Sequence, residues 1–175
     1  MHKLSACWVY LSKMSGNTRS PLQVNIKDTL TGSIGAAAAI FMLIFLTNRS
    51  ASNWFMAPFG GSCVLAFAFW NAPFSQPRNI IGGHCISAFI GLAAFHLFGK
   101  EPWSIAAAVG LAIAAMMLTK TTHPPAGANP IVIMLGHYSM GYLFSPVLIG
   151  SVIIVILALV INNLRQNRKY PTFWF

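Results

Sequence analysis

Thr121-Thr122-His123-Pro124-Pro125-Ala126-Gly127-Ala128-Asn129 lies between two apolar runs, residues 103–119 and 131–135, in a chain with almost no charge. A histidine followed by two prolines, a glycine and an asparagine is polar, stiff and unable to continue a helix. In a bilayer, backbone of that kind is tolerated only where protein buries it or where it lines a cavity. The stretch marks the working site of a membrane protein, and it sets the fold expected here: an all-α bundle interrupted at mid-depth.

Composition agrees. Of 175 residues, 56% are hydrophobic and 7% charged, with a mean hydropathy of +0.66. A soluble domain carries about 25% charged residues. The two acids, Asp28 and Glu101, cannot coat a water-facing globule. The chain reads as one small polytopic domain. Paired-carboxylate catalysis is excluded, and no Ser/His/Asp set, HExxH or P-loop is present, so no enzyme is expected. Cys7, Cys63 and Cys85 show no ligand spacing and read as small apolar residues rather than a disulfide framework. The histidines at 84, 96, 123 and 137 do not share one helix face, which argues against haem or metal, and no cofactor is expected. The net charge of +9 does not point to nucleic acid, because the basic residues sit at the ends of apolar runs instead of clustering among aromatics.

Working outward, residues 29–47 form a clear membrane run, at roughly 20 residues per crossing. Residues 54–70 are apolar but broken near their start by Ala57-Pro58-Phe59-Gly60-Gly61-Ser62. Residues 79–98 follow, then a turn ending in Pro102, the run 103–119, the His-Pro-Pro break with its short run, and the run 143–161. Trp54, Trp70 and Trp103 suit an interfacial belt. The domain spans residues 28–164, between an amino-terminal tail of residues 1–27 and a basic tail of residues 165–175; Met14 is an alternative start.

The two breaks match. Pro58-Phe59-Gly60-Gly61-Ser62 aligns with Pro125-Ala126-Gly127-Ala128-Asn129 at an offset of 67 residues, and Gly82 with Gly150 at 68. Each half reads as long helix, broken short helix, long helix (about 29–98 and 103–162). If all six elements cross, one side carries Lys3, Lys13, Arg19, Lys27, Arg78, Lys120, Arg165, Arg168 and Lys169, against Arg49 and Lys100 on the other. Nine against two becomes eight against three if the breaks re-enter, so the positive-inside bias favours six crossings with both termini cytoplasmic. Three crossings per half makes the repeats inverted, a recurrent transporter design with its site near the midplane.

A helix starting at Pro58 or Pro125 presents backbone N–H groups and the positive end of its dipole, a site for an anion without a formal cation. With so little charge inside the membrane, a small monovalent anion fits best. Gly60, Gly61, Gly127 and Ala128 permit close approach, and Ser62 and Asn129 add polar groups beside Phe59 and Ala126. His123 either takes a proton near neutral pH, coupling the anion to pH, or holds the Thr-rich turn by bonding backbone carbonyls. His84 is a candidate for gating or proton transfer, equally readable as a buried, satisfied imidazole. Arg78 stands where it would attract anions at a mouth. For the glycines, helix packing is the competing reading.

His123-Pro124-Pro125-Ala126-Gly127-Ala128, preceded by Leu118-Thr119-Lys120-Thr121, resembles the signature of the HPP family of integral membrane proteins. Ala57-Pro58-Phe59-Gly60-Gly61-Ser62 and Gln76-Pro77-Arg78-Asn79-Ile80-Ile81-Gly82-Gly83-His84 resemble its other two motifs. The resemblance covers about residues 28–164. The family is usually described with four transmembrane helices. Some plastid and cyanobacterial-type members are implicated in nitrite transport, so the resemblance implies nitrite as the leading substrate. Members often carry a pair of CBS modules; none follows here, so nucleotide regulation through them is not expected. The expectation is a nitrite-type anion transporter or channel, dimeric, in a bacterial cytoplasmic membrane, with the lipid bilayer and the anion as partners. The rival is a non-transporting scaffold or subunit whose broken helices only pack.

Overall fold

A computed structural model describes residues 5–16, 18–50 and 52–174; Lys3, counted above, lies outside them. Helices α1 (Ser5–Ser12), α2 (Ile26–Arg49), α3 (Pro58–Cys63), α4 (Pro77–Phe98), α5 (Pro102–Leu118), α6 (Asn129–Gly136) and α7 (Ile149–Asn163) are joined by shorter helical turns, with no strand among the described residues. Helix α1 lies within the amino-terminal tail of residues 1–27.

Local chemistry accounts for the element ends. Asn25 caps α2 by accepting the Asp28 N–H at 3.2 Å, and Asp28 lies in the first turn while Arg49 lies in the last, each at its favourable dipole end. Proline opens α3, α4 and α5, where its missing N–H costs nothing. Gly99 closes α4 at φ 69°, a conformation other residues resist. The run expected as one helix over residues 143–161 begins instead with a 3-10 turn (Met140–Leu143) and a π-helical turn (Phe144–Leu148) before α7. Pro146 lies inside that turn with no N–H to donate, so the ladder slips there.

Hydrogen bonds define two faces. On the terminal face, Arg165 Nη1 and Arg168 Nη2 each donate to Asp28 Oδ1 at 2.8 Å. Asn162 Nδ2 donates to Ala66 O at 2.9 Å, and Arg78 Nη2 to Thr119 O at 2.9 Å. The start of α2, the end of the Pro58–Ala68 segment, the start of α4, and the ends of α5 and α7 are therefore held together. On the opposite face, the Trp54 N–H donates to Thr47 Oγ1 at 3.0 Å, Ser145 Oγ to Asn53 O at 2.6 Å, and Lys100 Nζ to His137 Nε2 at 3.0 Å. The chain runs between the faces six times. Pro58–Ala68 descends from mid-depth to the terminal face, and Pro124–Ala128 with α6 climbs from mid-depth to the other. Both termini of the bundle share one face.

Helices α2, α4 and the Met140–Asn163 segment are long and apolar enough to cross a membrane. Helix α4 is the hub, packed on α5, α6, α7 and the Pro124–Ala128 turn, while α2 packs on α7 and on the first broken segment. Phe59, Phe67, Leu43, Ile80, Leu92, Ile133 and Ile154 fill the interior. Outward lie Ile34, Phe41, Phe89, Leu111, Met117, Leu118 and Val160, a surface too apolar for water and suited to lipid. Of the three belt tryptophans, Trp103 is exposed, whereas Trp54 and Trp70 lie half-buried against the core.

The carboxyl-terminal tail folds back over the terminal face. Tyr170 Oη donates to Ser75 O at 2.8 Å, and the Thr172 N–H to Gln76 Oε1 at 2.8 Å. Burial pushes the Tyr170 phenol above its usual value of 10.0. A group raised in the folded state stabilises it fully below the unfolded pKa and loses that contribution as pH rises. Tyr170→Phe is therefore expected to cost about 1 kcal/mol at neutral pH. The gap in melting temperature between the two proteins should close above about pH 10; a gap constant with pH would rule out the buried phenol as its source.

Candidate functional site

The two broken segments meet at mid-depth, Pro125 against Gly61, and α4 runs alongside their junction. Pro58 starts α3 so that Ser62, one turn on, points inward; Ser62, His84, His123 and Asn129 all have no exposed surface. Ser62 Oγ lies 2.7 Å from His84 Nε2 and 2.9 Å from His123 Nε2. His123 Nδ1 lies 2.7 Å from the Phe74 carbonyl oxygen. Asn129 Nδ2 lies 3.1 Å from His84 Nδ1 and 3.0 Å from the His84 carbonyl oxygen.

Donor accounting assigns the protons. A carbonyl only accepts, so His123 Nδ1 carries the hydrogen. In neutral His123, Nε2 is then bare and accepts the Ser62 hydroxyl. Ser62 Oγ, its hydrogen committed, accepts from His84 Nε2–H. The bare His84 Nδ1 accepts from the Asn129 amide. One directed chain runs from Asn129 through His84, Ser62 and His123 to the Phe74 carbonyl, with all four imidazole nitrogens and the Ser62 hydroxyl paired and both imidazoles neutral.

Close backbone contact holds this chain in place. A Cβ at Gly83 would lie 2.8 Å from the Thr121 carbonyl oxygen and 2.7 Å from His123 Cβ. Ser87 Oγ donates to Ala126 O at 2.6 Å, and Asn79 Nδ2 to Thr122 O at 2.9 Å, fastening the His-Pro-Pro turn along α4. Phe59 sits edge-on to His84, ring centroids 5.1 Å apart.

The other expected binding residues lie around this core. Pro125 packs on Gly61, whose added Cβ would meet its ring at 3.1 Å, whereas Gly60 and Gly127 face open space. The first backbone N–H groups of the two starts are engaged locally: Phe59 with Met56 O at 3.0 Å, Gly60 with Ala57 O at 3.1 Å, Ala126 with His123 O at 2.9 Å. Ala128 precedes Asn129 at the end of the Pro124–Ala128 turn. The polar donors converging at mid-depth are thus side chains more than helix-start amides.

Above His123 on the terminal face is a cavity of about 340 Å³ lined by Phe74, Arg78, Asn79, Lys120, Thr122 and Phe173 with Pro73. Two cations and no carboxylate line it. Asn79 Oδ1 is buried there with no partner. Sequence reasoning named Arg78 for this mouth but not Lys120, Asn79 or the Phe74 carbonyl. Nothing in local sequence pairs Phe74 with a histidine 49 positions on. His96 and His137 lie outside the junction; His96 Nδ1 meets Leu92 O in its own helix at 2.8 Å.

Residues 21–171 match the family model described as HPP, transmembrane region. The chain belongs to the HPP family. The match to the HPP model extends the resemblance seen over residues 28–164 to the folded-back tail. A transmembrane protein of Dictyostelium discoideum is 32% identical to this HPP chain over 181 residues, covering 95% of the chain and 57% of the relative. A second from the same organism is 34% identical over 173 residues, covering 92% and 61%. The HPP chain thus spans about three fifths of the length of these relatives. No solved structure matches it.

Proposed function

We propose that this HPP protein moves a small monovalent anion across the bilayer through the junction of its two broken helices, with nitrite the first candidate. The observation that carries the reading is the buried Ser62–His84–His123–Asn129 cluster under a mouth bearing Arg78 and Lys120. A neutral cluster beneath two cations draws an anion in without trapping it. The nine-against-two distribution of basic residues supports placing the terminal face in the cytoplasm.

Inverted repeats fit the reading. The Gly83 Cβ position lies 2.8 Å from the Thr121 carbonyl oxygen, and the Gly150 position 2.8 Å from that of Trp54. Both members of the second pair stand 67 residues from their counterparts, with their order in the chain exchanged, as a two-fold axis in the membrane plane requires. Gly60 and Gly127 open outward at mid-depth, and backbone there needs protein cover; a homodimer would supply it.

Flux of nitrite, nitrate, formate and chloride into proteoliposomes tests the proposal. Nitrite uptake is expected with the intact protein, and His123→Ala should lower it by about tenfold to a hundredfold, the worth of one or two hydrogen bonds. Gly127→Val gains its branch in open space, so the fold survives, and unchanged flux in it would remove the helix start at Pro125 from the anion's path. Absence of flux for every anion would favour the scaffold reading instead.

A further inference from the structure

We propose that the junction binds one proton with each anion, His123 being the proton acceptor and the Ser62 hydroxyl the switch that accommodates it. This rests on the transport reading above and adds the coupling ion.

The argument begins with Ser62, which has two acceptors in reach. Its hydroxyl points to His123 Nε2 at 2.9 Å, yet Oγ also lies 3.4 Å from the Pro58 carbonyl oxygen, one turn back in α3. In the neutral cluster the hydroxyl donates to His123. When a proton binds at His123 Nε2, that nitrogen becomes a donor, and Ser62 must accept from both imidazoles. The hydroxyl hydrogen then turns to Pro58 O, and no buried group loses its partner. The step forms one N–H bond and breaks none within the protein. The proton comes from water on the face to which the site is open and returns to water on the other.

His123 is the acceptor because of what holds each ring. Its Nδ1–H is already paired with Phe74 O, so the cation keeps a carbonyl on one side and gains Ser62 Oγ on the other. His84 can be protonated only at Nδ1, which would leave Asn129 Nδ2–H facing a new N–H. The acceptor available there, Asn129 Oδ1, lies at 3.3 Å, farther than the 2.7 and 2.9 Å partners on the two sides of the His123 ring. The titratable and charged neighbours are few. From α3 come Ser62 and the following Cys63, and from α4 His84 and Cys85, with Asn129 at the start of α6. Among the described residues, no carboxylate or cation bonds either ring. An imidazolium here therefore lacks a protein counter-charge, and a bound monovalent anion supplies it. Proton and anion each make the other's entry favourable, and the pair crosses with no net charge.

The test uses proteoliposomes under a potassium–valinomycin clamp, with a trapped pH dye and nitrite uptake measured together against protein-free vesicles. The expected result is a proton-to-nitrite ratio near one, kept by Ser62→Thr and lowered several-fold by Ser62→Ala, whatever the absolute flux. Nitrite uptake without protons, or an unchanged ratio in Ser62→Ala, overturns the coupling while leaving the transport reading intact. No uptake of either overturns both. A second measurement is independent of flux: ¹⁵N spectra of the imidazoles should show His123 protonated at Nδ1 and His84 at Nε2. On acidification His123 becomes doubly protonated first. If His84 titrates first, or the tautomers are reversed, the switch is excluded.

Discussion

Gly83→Val is expected to abolish the proposed anion flux and to lower the melting temperature of the purified protein. Gly83 is where α4 touches the His-Pro-Pro turn, with the Thr121 carbonyl oxygen 2.8 Å and His123 Cβ 2.7 Å from any added Cβ, and Met116 Sδ 3.4 Å away. Two of these three neighbours cannot yield: one is backbone, and the other carries a ring tied at both nitrogens. A branched side chain therefore drives the turn off α4. His123 leaves Phe74 O and Ser62, bonds of 2.7 and 2.9 Å that do not survive a shift of an ångström. Overpacking costs about 1–3 kcal/mol and an orphaned buried polar group about 1–3 more, enough to reduce folded yield as well as flux. Gly110→Val is the control, since its Cβ meets nothing within 4 Å. Wild-type flux and melting in Gly83→Val would mean that the turn is not seated on α4.

That contact shows which parts of the molecule were legible in the sequence. The order of elements was, because apolar length and proline position are local properties: Pro58 and Pro102 begin the helices they were expected to begin, whereas α4 starts at Pro77, two residues before its expected run, and Pro125 lies in a 3-10 turn ahead of α6. The two breaks do touch, Pro125 packing on Gly61. What the sequence could not supply was the partner of each polar group. Ser62 reaches His84 and His123 from 22 and 61 positions away, and its role follows from α4 lying alongside the meeting breaks. The helix-start amides drew attention because prolines expose them, yet the preceding turns already occupy several. The basic tail reads as a topology signal when only its charge is counted. In the fold, Arg165 and Arg168 both turn inward to Asp28. A hint was present: Asp28 is one of two acids in a strongly basic chain, so its carboxylate was bound to find a basic partner.

Arg168→Met is the second substitution expected to have a large effect, on stability first. The Arg168 side chain is 1% exposed. It donates to Phe67 O at 2.9 Å, to Asn162 Oδ1 at 2.7 Å and to Asp28 Oδ1 at 2.8 Å, and its guanidinium lies 5.7 Å from the Trp70 ring centre. Phe67 O belongs to the last turn of the first broken segment, where helical carbonyls run out of partners. Arg168 thus closes that half-helix and ties it to α2 and α7 at once. Removing one member of a buried, hydrogen-bonded charge pair costs about 3–5 kcal/mol. Here Asp28 is 39% exposed and keeps Arg165, so most of the loss comes from Phe67 O and Asn162 Oδ1 left dry and unpaired. Arg165 offers the contrast. More exposed and paired with Asp28 and Thr31, it should cost under about 1 kcal/mol when replaced by methionine. That smaller loss should vanish in molar salt while the Arg168 loss persists. Equal losses for the two variants, or an Arg168 loss erased by salt, would mean that the tail is held by surface charge and not by the buried carbonyls. Release of the tail would also withdraw Phe173 from the mouth beside Arg78 and Lys120. On the proposed transport reading, undiminished flux in refolded Arg168→Met protein would place the tail outside the anion's path.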